Sequence, residues 1–150
     1  MTMVSVTKIF HLEAAHHLPH HGGKCRFLHG HSYKLEVTVT GPLNLDTGSV
    51  ECGMVIDFSC LKKIVQENII EVYDHHDLNE HMENPTAENL CVQWGRVIQK
   101  HLPHGIFVKS CKVWETCDSY AEYTPDLPRL AFADRPAPQE GDQPTLAPAT

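Results

Sequence analysis

The chain has 150 residues with a formal net charge of −7 and twelve histidines. The length fits one domain with a sizeable core, and the acidic balance argues against a nucleic-acid partner or an anionic membrane surface. No apolar run is long enough to span a membrane, and the N-terminal residues lack the apolar region of a signal peptide, so a cytoplasmic protein with reduced thiols is expected.

Residues 4–15 carry partial period-two alternation with β-branched residues and predict a first strand. Pro19 and Gly22-Gly23 open a loop. Within it, Gly22-Gly23-Lys24-Cys25-Arg26-Phe27-Leu28-His29-Gly30-His31 packs one cysteine and two histidines at i and i+2 into a short span. A second strand then runs from about Gly30 to Thr40 and stops at Gly41-Pro42. A strand beginning near Gly30 points His29 and His31 to one face, and a hairpin brings His16 beside them. Three imidazoles and a nearby thiol read as a zinc site. With three neutral imidazoles and an open fourth position the site is catalytic; with Cys25 as fourth ligand it is closed and structural. Surface histidines without function are the bland alternative.

Asp57 is a predicted N-cap for a helix whose Leu61, Ile64, Val65, Ile69 and Val72 form one apolar stripe, ending near Tyr73-Asp74. Asp74-His75 reads either as helix-end chemistry or as a histidine oriented by a carboxylate for proton transfer. A second helix starts after Pro85, with Thr86 as N-cap and Glu88 in the first turn. Its apolar face holds Leu90, Trp94, Val97 and Ile98, with Cys91 and Leu102 as further members. Residues 106–116 predict a third strand containing Glu115, and residues 119–124 a short fourth. Cys52, Cys60, Cys91, Cys111 and Cys117 read as packing residues. Residues 125–150 hold six of the ten prolines and read as a disordered tail behind a domain of residues 1–124. The order ββααββ gives an α+β fold, a four-stranded antiparallel sheet with two helices on one face. Its other face must be solvated or covered by another subunit.

Glu13-Ala14-Ala15-His16, Cys25-x-x-x-His29-Gly30-His31, Val55-Ile56-Asp57-Phe58, Asp74-His75-His76-x-Leu78-Asn79, Asn84-Pro85-Thr86-x-Glu88 and Glu115-Thr116 resemble the 6-pyruvoyl-tetrahydropterin synthase family over roughly residues 5–124. The Cys25-to-His29 spacing is similar to its bacterial branch, the 6-carboxy-5,6,7,8-tetrahydropterin synthases of queuosine biosynthesis. The resemblance implies the tunnelling fold, with protomers forming a trimer or a dimer of trimers. It implies zinc on His16, His29 and His31, Cys25 as general base, Asp74 and His75 as a second proton-transfer pair, and Glu115 as anchor of the pterin ring. Thr86 and Glu88 would lie near the pterin, and Lys24 and Arg26 near the triphosphate. The implied reaction converts 7,8-dihydroneopterin triphosphate to 6-carboxy-5,6,7,8-tetrahydropterin, acetaldehyde and triphosphate. Pyruvoyl-tetrahydropterin formation, a side-chain-cleaving aldolase and a non-catalytic zinc- or pterin-binding protein are the alternatives. The chain departs from the family pattern at Arg26-Phe27-Leu28, and His20-His21 adds imidazoles that could touch phosphate or compete for metal.

Overall fold

The computed structural model describes residues 1–128; of the expected tail, residues 129–150 lie outside the described residues. Strand β1 (Met3–His16) and strand β2 (His29–Pro42) form one long antiparallel hairpin, in unbroken register from Met3↔Pro42 to His16↔His29. The period of two sorts the side chains. Phe10, Leu12 and Ala14 of β1 and Tyr33, Leu35, Val37 and Val39 of β2 are buried on the inner face. The outer face is tied by hydroxyl and carboxylate pairs: Ser5 with Thr40, Thr7 with Thr38, and Ser32 donating to Glu13.

Helix α1 begins as an α-helix at Phe58–Val65, widens into a π-helical turn at Gln66–Ile70 and closes with an α-turn at Glu71–Tyr73. Asp57 caps it, its carboxylate accepting from the Ser59 N–H. The π-turn alters the expected stripe. Leu61, Val65 and Ile69 are buried, but so are Ile70 and Tyr73, while Val72 is 36% exposed and Ile64 only half-buried. A wider turn adds a residue to the repeat, so the inward face moves from Val72 to Tyr73.

Tyr73 leads into strand β3 (His76–Asp77), which pairs in parallel with Ala14 and Ala15 of β1. The sheet therefore has five strands, in the order β3-β1-β2-β4-β5, rather than the four expected. A strand of two residues is too short to carry a periodic signal. Helix α2 (Ala87–His101) follows, capped by the Thr86 hydroxyl, which accepts from the Asn89 N–H at 3.1 Å. Replacing Thr86 with alanine should cost about 1 kcal/mol in urea unfolding, the ordinary value of such a cap. Leu90, Cys91, Trp94 and Ile98 face the core, and Trp94 packs against Tyr73 and Tyr33. Gly95 lets the helix lie against β5, because a Cβ there would meet the Tyr123 ring at 2.7 Å.

Strand β4 (Phe107–Thr116) pairs antiparallel with β2, and β5 (Ser119–Tyr123) pairs with β4. Between Thr38 and Val39 the β2–β4 register slips, and the Gln99 side chain accepts from Val108 N–H in β4 and donates to the carbonyl of Ile106 just before it. Of the cysteines read as packing residues, Cys91 and Cys111 are buried and Cys60 packs against the core from a half-buried position. Burial pushes both buried thiols up. Cys52 and Cys117 are exposed, contrary to expectation. Both sit in polar turn segments, where no neighbouring element covers them.

Candidate metal and pterin site

The hairpin register puts His16 opposite His29, and Ala14 opposite His31, so all three imidazoles project from the inner face at one end of the sheet. Their ring centroids are 4.7, 5.1 and 4.9 Å apart. His16 is fully buried, and its Nδ1 lies 2.8 Å from the Pro85 carbonyl. His29 Nδ1 lies 2.7 Å from the Phe27 carbonyl. A carbonyl only accepts, so each Nδ1 carries the proton and each Nε2 turns a lone pair inward. Those two Nε2 atoms are 3.1 Å apart. Two lone pairs at that distance need a proton or a metal ion between them.

Glu115 joins from β4, which the register places alongside β2, its carboxylate oxygen 3.2 Å from His31 Nε2. That nitrogen is buried and makes no hydrogen bond, because the contact to Glu115 is close but not aligned as an N–H···O bond. Burial lowers the His31 pKa, outweighing the opposing pull of Glu115, and so favours the neutral, ligating imidazole. One ligand atom from each of His16, His29, His31 and Glu115 lies within 4.8 Å of all the others. A tetrahedral ion with bonds of about 2.0–2.1 Å sets its ligand atoms about 3.3 Å apart, close to the two short contacts seen here. Among the described residues these four could hold a metal ion.

Cys25 lies outside that group. It occupies a 3₁₀ turn, Lys24–Arg26, in the loop joining the two strands, and is half-buried. Its carbonyl accepts from the Leu18 N–H at 2.8 Å, folding the loop back on itself. Lys24 and Arg26 are exposed, and the Arg26 guanidinium lies 4.9 Å from the centre of the Phe27 ring. His20 and His21 do not reach the cluster. His21 Nδ1 accepts from the Gly23 N–H, and His20 lies 3.9 Å from Glu83.

Asp74 and His75 are held at the edge of β1 by Glu13. The Glu13 N–H donates to Asp74 Oδ1 at 2.8 Å, and the Glu13 carbonyl accepts from the His75 N–H. Asp74 Oδ2 meets His75 Nδ1 at 2.9 Å, and His75 adopts a left-handed φ of 59° to make the turn. His31, His75 and Glu13 line one open cavity of about 470 Å³, so one imidazole of the cluster and the His75 side chain face a common space. The Asn79 side chain completes the frame, bonding both the N–H and the carbonyl of His17. Glu13 opens the Glu13-Ala14-Ala15-His16 motif and Asn79 closes Asp74-His75-His76-x-Leu78-Asn79, but their holding roles depend on which backbone atoms they meet.

The Glu13 N–H, and secondarily His75, hold the Asp74 carboxyl below the usual carboxylate range. A depressed pKa stabilises the fold above the ordinary carboxylate pKa, and that contribution disappears as pH falls through the folded value. Asp74→Asn should therefore lose less stability between pH 7 and the acid range than the parent, as read from denaturant midpoints. The difference should be modest, since Asp74 is one-third exposed.

Thr86 serves as the helix cap, and the Pro85 carbonyl before it holds His16, so the α2 entry and the imidazole cluster share one short segment. Glu88 is exposed in the first turn of α2 and lines, with Glu115, Thr116 and Tyr120, a second pocket of about 240 Å³.

A sequence model of 6-pyruvoyl tetrahydropterin synthase matches residues 5–126. The 6-carboxy-5,6,7,8-tetrahydropterin synthase of Synechocystis sp. is 41% identical over 128 residues, covering 84% of this chain and 95% of its own. The dihydroneopterin monophosphate aldolase of Pyrococcus furiosus is 39% identical over 88 residues, 59% of this chain and 70% of its own. The solved structure of Caenorhabditis elegans 6-pyruvoyl tetrahydropterin synthase aligns with a TM-score of 0.71 at 23% identity, over 84% of this chain and 98% of that one. That likeness carries the fold. With the family match spanning all of the sheet but its first two residues, both helices and all four cluster residues, the chain belongs to the 6-pyruvoyl tetrahydropterin synthase family.

Proposed function

We propose that the chain is a zinc-dependent lyase converting 7,8-dihydroneopterin triphosphate to 6-carboxy-5,6,7,8-tetrahydropterin, with release of acetaldehyde and triphosphate, in queuosine biosynthesis. The observation that carries this reading is the convergence of His16, His29 and His31, two of them with Nδ1 held by a carbonyl and Nε2 turned inward. Three neutral imidazoles suit zinc, and bound zinc would supply Lewis acidity toward a pair of substrate hydroxyls. The substrate side chain offers such a pair at C1′ and C2′, with the triphosphate on C3′.

Cys25, outside the ligand group, is the base that takes a carbon-bound proton. His75, held through Asp74, moves protons at the second position. Glu115 accepts from the amino and N–H donors of the pterin edge, a charge-assisted pairing that fixes the ring. Glu88 lines the same pocket, Thr86 supports it as helix cap, and Lys24 and Arg26 offer cations to the triphosphate. The atoms balance without a redox partner. Loss of triphosphate from C3′ and transfer of side-chain hydrogens into the ring leave a dicarbonyl side chain. Water then cleaves C1′–C2′, making a carboxylate of C1′ and acetaldehyde of C2′ and C3′. The catalytic unit is residues 1–124, active in the cytoplasm as a trimer or dimer of trimers whose subunits pair at the sheet edges.

Incubation of zinc-loaded protein with 7,8-dihydroneopterin triphosphate, followed by mass analysis of products, tests this. Acetaldehyde, triphosphate and a carboxylated tetrahydropterin are expected. Triphosphate with a pyruvoyl product moves the assignment to the sister activity. The Pyrococcus relative favours a second reading, aldol cleavage, in which phosphate stays on the released two-carbon fragment. No turnover despite bound zinc overturns the enzyme assignment for this substrate.

A further inference from the structure

Strand β5 stops where a pocket opens. Its pairing with β4 ends at Cys111↔Tyr123, and Pro125, which has no N–H to extend a ladder, borders a pocket of about 280 Å³. Gly95 of α2, Val108 of β4 and Tyr123 of β5 give that pocket an apolar floor. The Val108 N–H is already taken by the Gln99 side chain, so this donor is not open to an added strand. Arg96 and Lys100, one turn apart on α2 and both exposed, form the rim. No carboxylate lines the pocket, and among the described residues neither cation has an ion pair, in a chain of net charge −7. The site therefore suits an apolar side chain followed closely by a carboxylate.

The chain itself supplies that pattern. Just beyond the pocket-lining Pro125 and the last described residue, Pro128, the sequence runs Arg129-Leu130-Ala131-Phe132-Ala133-Asp134, with no proline before Pro136. In an extended segment Leu130, Phe132 and Asp134 share one side and the two alanines the other. Leu130 and Phe132 are two of the three large apolar residues in 129–150. From Pro125 to Phe132 the chain can reach about 23 Å, ample for a pocket that Pro125 itself borders. We propose that Leu130–Asp134 docks in this pocket: Phe132 fills the floor against Tyr123, and Asp134 pairs with Arg96 and Lys100. The last turns of α2 are thereby latched to the end of the sheet. A phenyl ring beside a tyrosine ring gains from both burial and ring contact, and the carboxylate answers two cations that otherwise face only solvent. A second copy of the chain or a free carboxylate ligand would have to compete with a tethered segment, whose effective concentration is on the order of millimolar.

Chymotrypsin cleavage after Phe132 in the full chain, read by mass as release of residues 133–150, tests this. Each rate is taken relative to a free peptide of residues 126–138 carrying the same substitutions. A segment that opens and closes quickly is cut in proportion to its open population, so the parent should be cut about tenfold or more slowly than its peptide. The double variant Arg96→Glu, Lys100→Glu makes both rim charges repel Asp134 and should speed cleavage about tenfold. Adding Asp134→Lys to that variant should restore most of the protection. A parent cut as fast as its peptide overturns the proposal, leaves the pocket to a free ligand and needs no variant to fold. A folded double variant as well protected as the parent overturns it too. Protection that grows with protein concentration assigns the pocket to a second copy and likewise overturns it.

Discussion

Replacing His31 with alanine should abolish zinc binding and turnover together while leaving the metal-free protein about as stable as its parent. The two halves of this expectation come from one atom. In the metal-free chain His31 Nε2 is buried without a hydrogen bond, and such a group weakens the fold that contains it. Its side chain is 17% exposed and lines an open cavity, so water can occupy the space left by the ring. With zinc present the sign reverses. A ligand at 1,000 times its dissociation constant stabilises the native state by about 4 kcal/mol, and the variant forfeits that gain. Thermal unfolding with and without zinc, beside metal analysis and turnover, reads all three quantities. A His31→Ala protein that retains stoichiometric zinc would show that the ion sits elsewhere.

Cys25→Ala should lower turnover about 1,000-fold, a loss ordinary for a positioned general base, while zinc content stays at the parental level. Cys25 lies on the 3₁₀ turn at Lys24–Arg26 and is not among the four residues whose ligand atoms converge. A structural site closed by three histidines and this thiolate predicts the opposite pattern, with metal lost along with the thiol. Metal stoichiometry after dialysis, measured beside the rate, separates the two. Loss of zinc from Cys25→Ala would remove the catalytic reading of the thiol.

Much of the fold was legible because its strong elements follow local rules. The β1–β2 alternation, the Asp57 and Thr86 caps and the α2 stripe each depend on residues a few positions apart. The His-x-His spacing and a hairpin were sufficient to bring His16, His29 and His31 together. The two-residue β3 exists because Ala14 and Ala15 receive it, and nothing in His76-Asp77 alone announces a strand. The π-turn at Gln66–Ile70 shifted the buried stripe to Tyr73, and a fixed period of 3.6 residues does not foresee a widened turn. Glu115 stands beside His31 only because β4 pairs with β2, a contact between distant parts of the chain. The carbonyls of Pro85 and Phe27 were equally unreadable, since every residue offers one and only tertiary structure selects which is used.

The facing of His16 by His29 across the first rungs of the hairpin has a consequence for how the chain folds and comes apart. An ion shared by those two side chains ties off residues 17–28 much as a disulfide would, but without requiring an oxidising compartment. Chelation should therefore release this loop, which carries Cys25, before it disturbs the rest of the sheet. Amide exchange in residues 17–28 would quicken first, while Leu35, Val37 and Val39 stay protected in the core. Metal supply would then set the order of this loop independently of the stability of the scaffold beneath it.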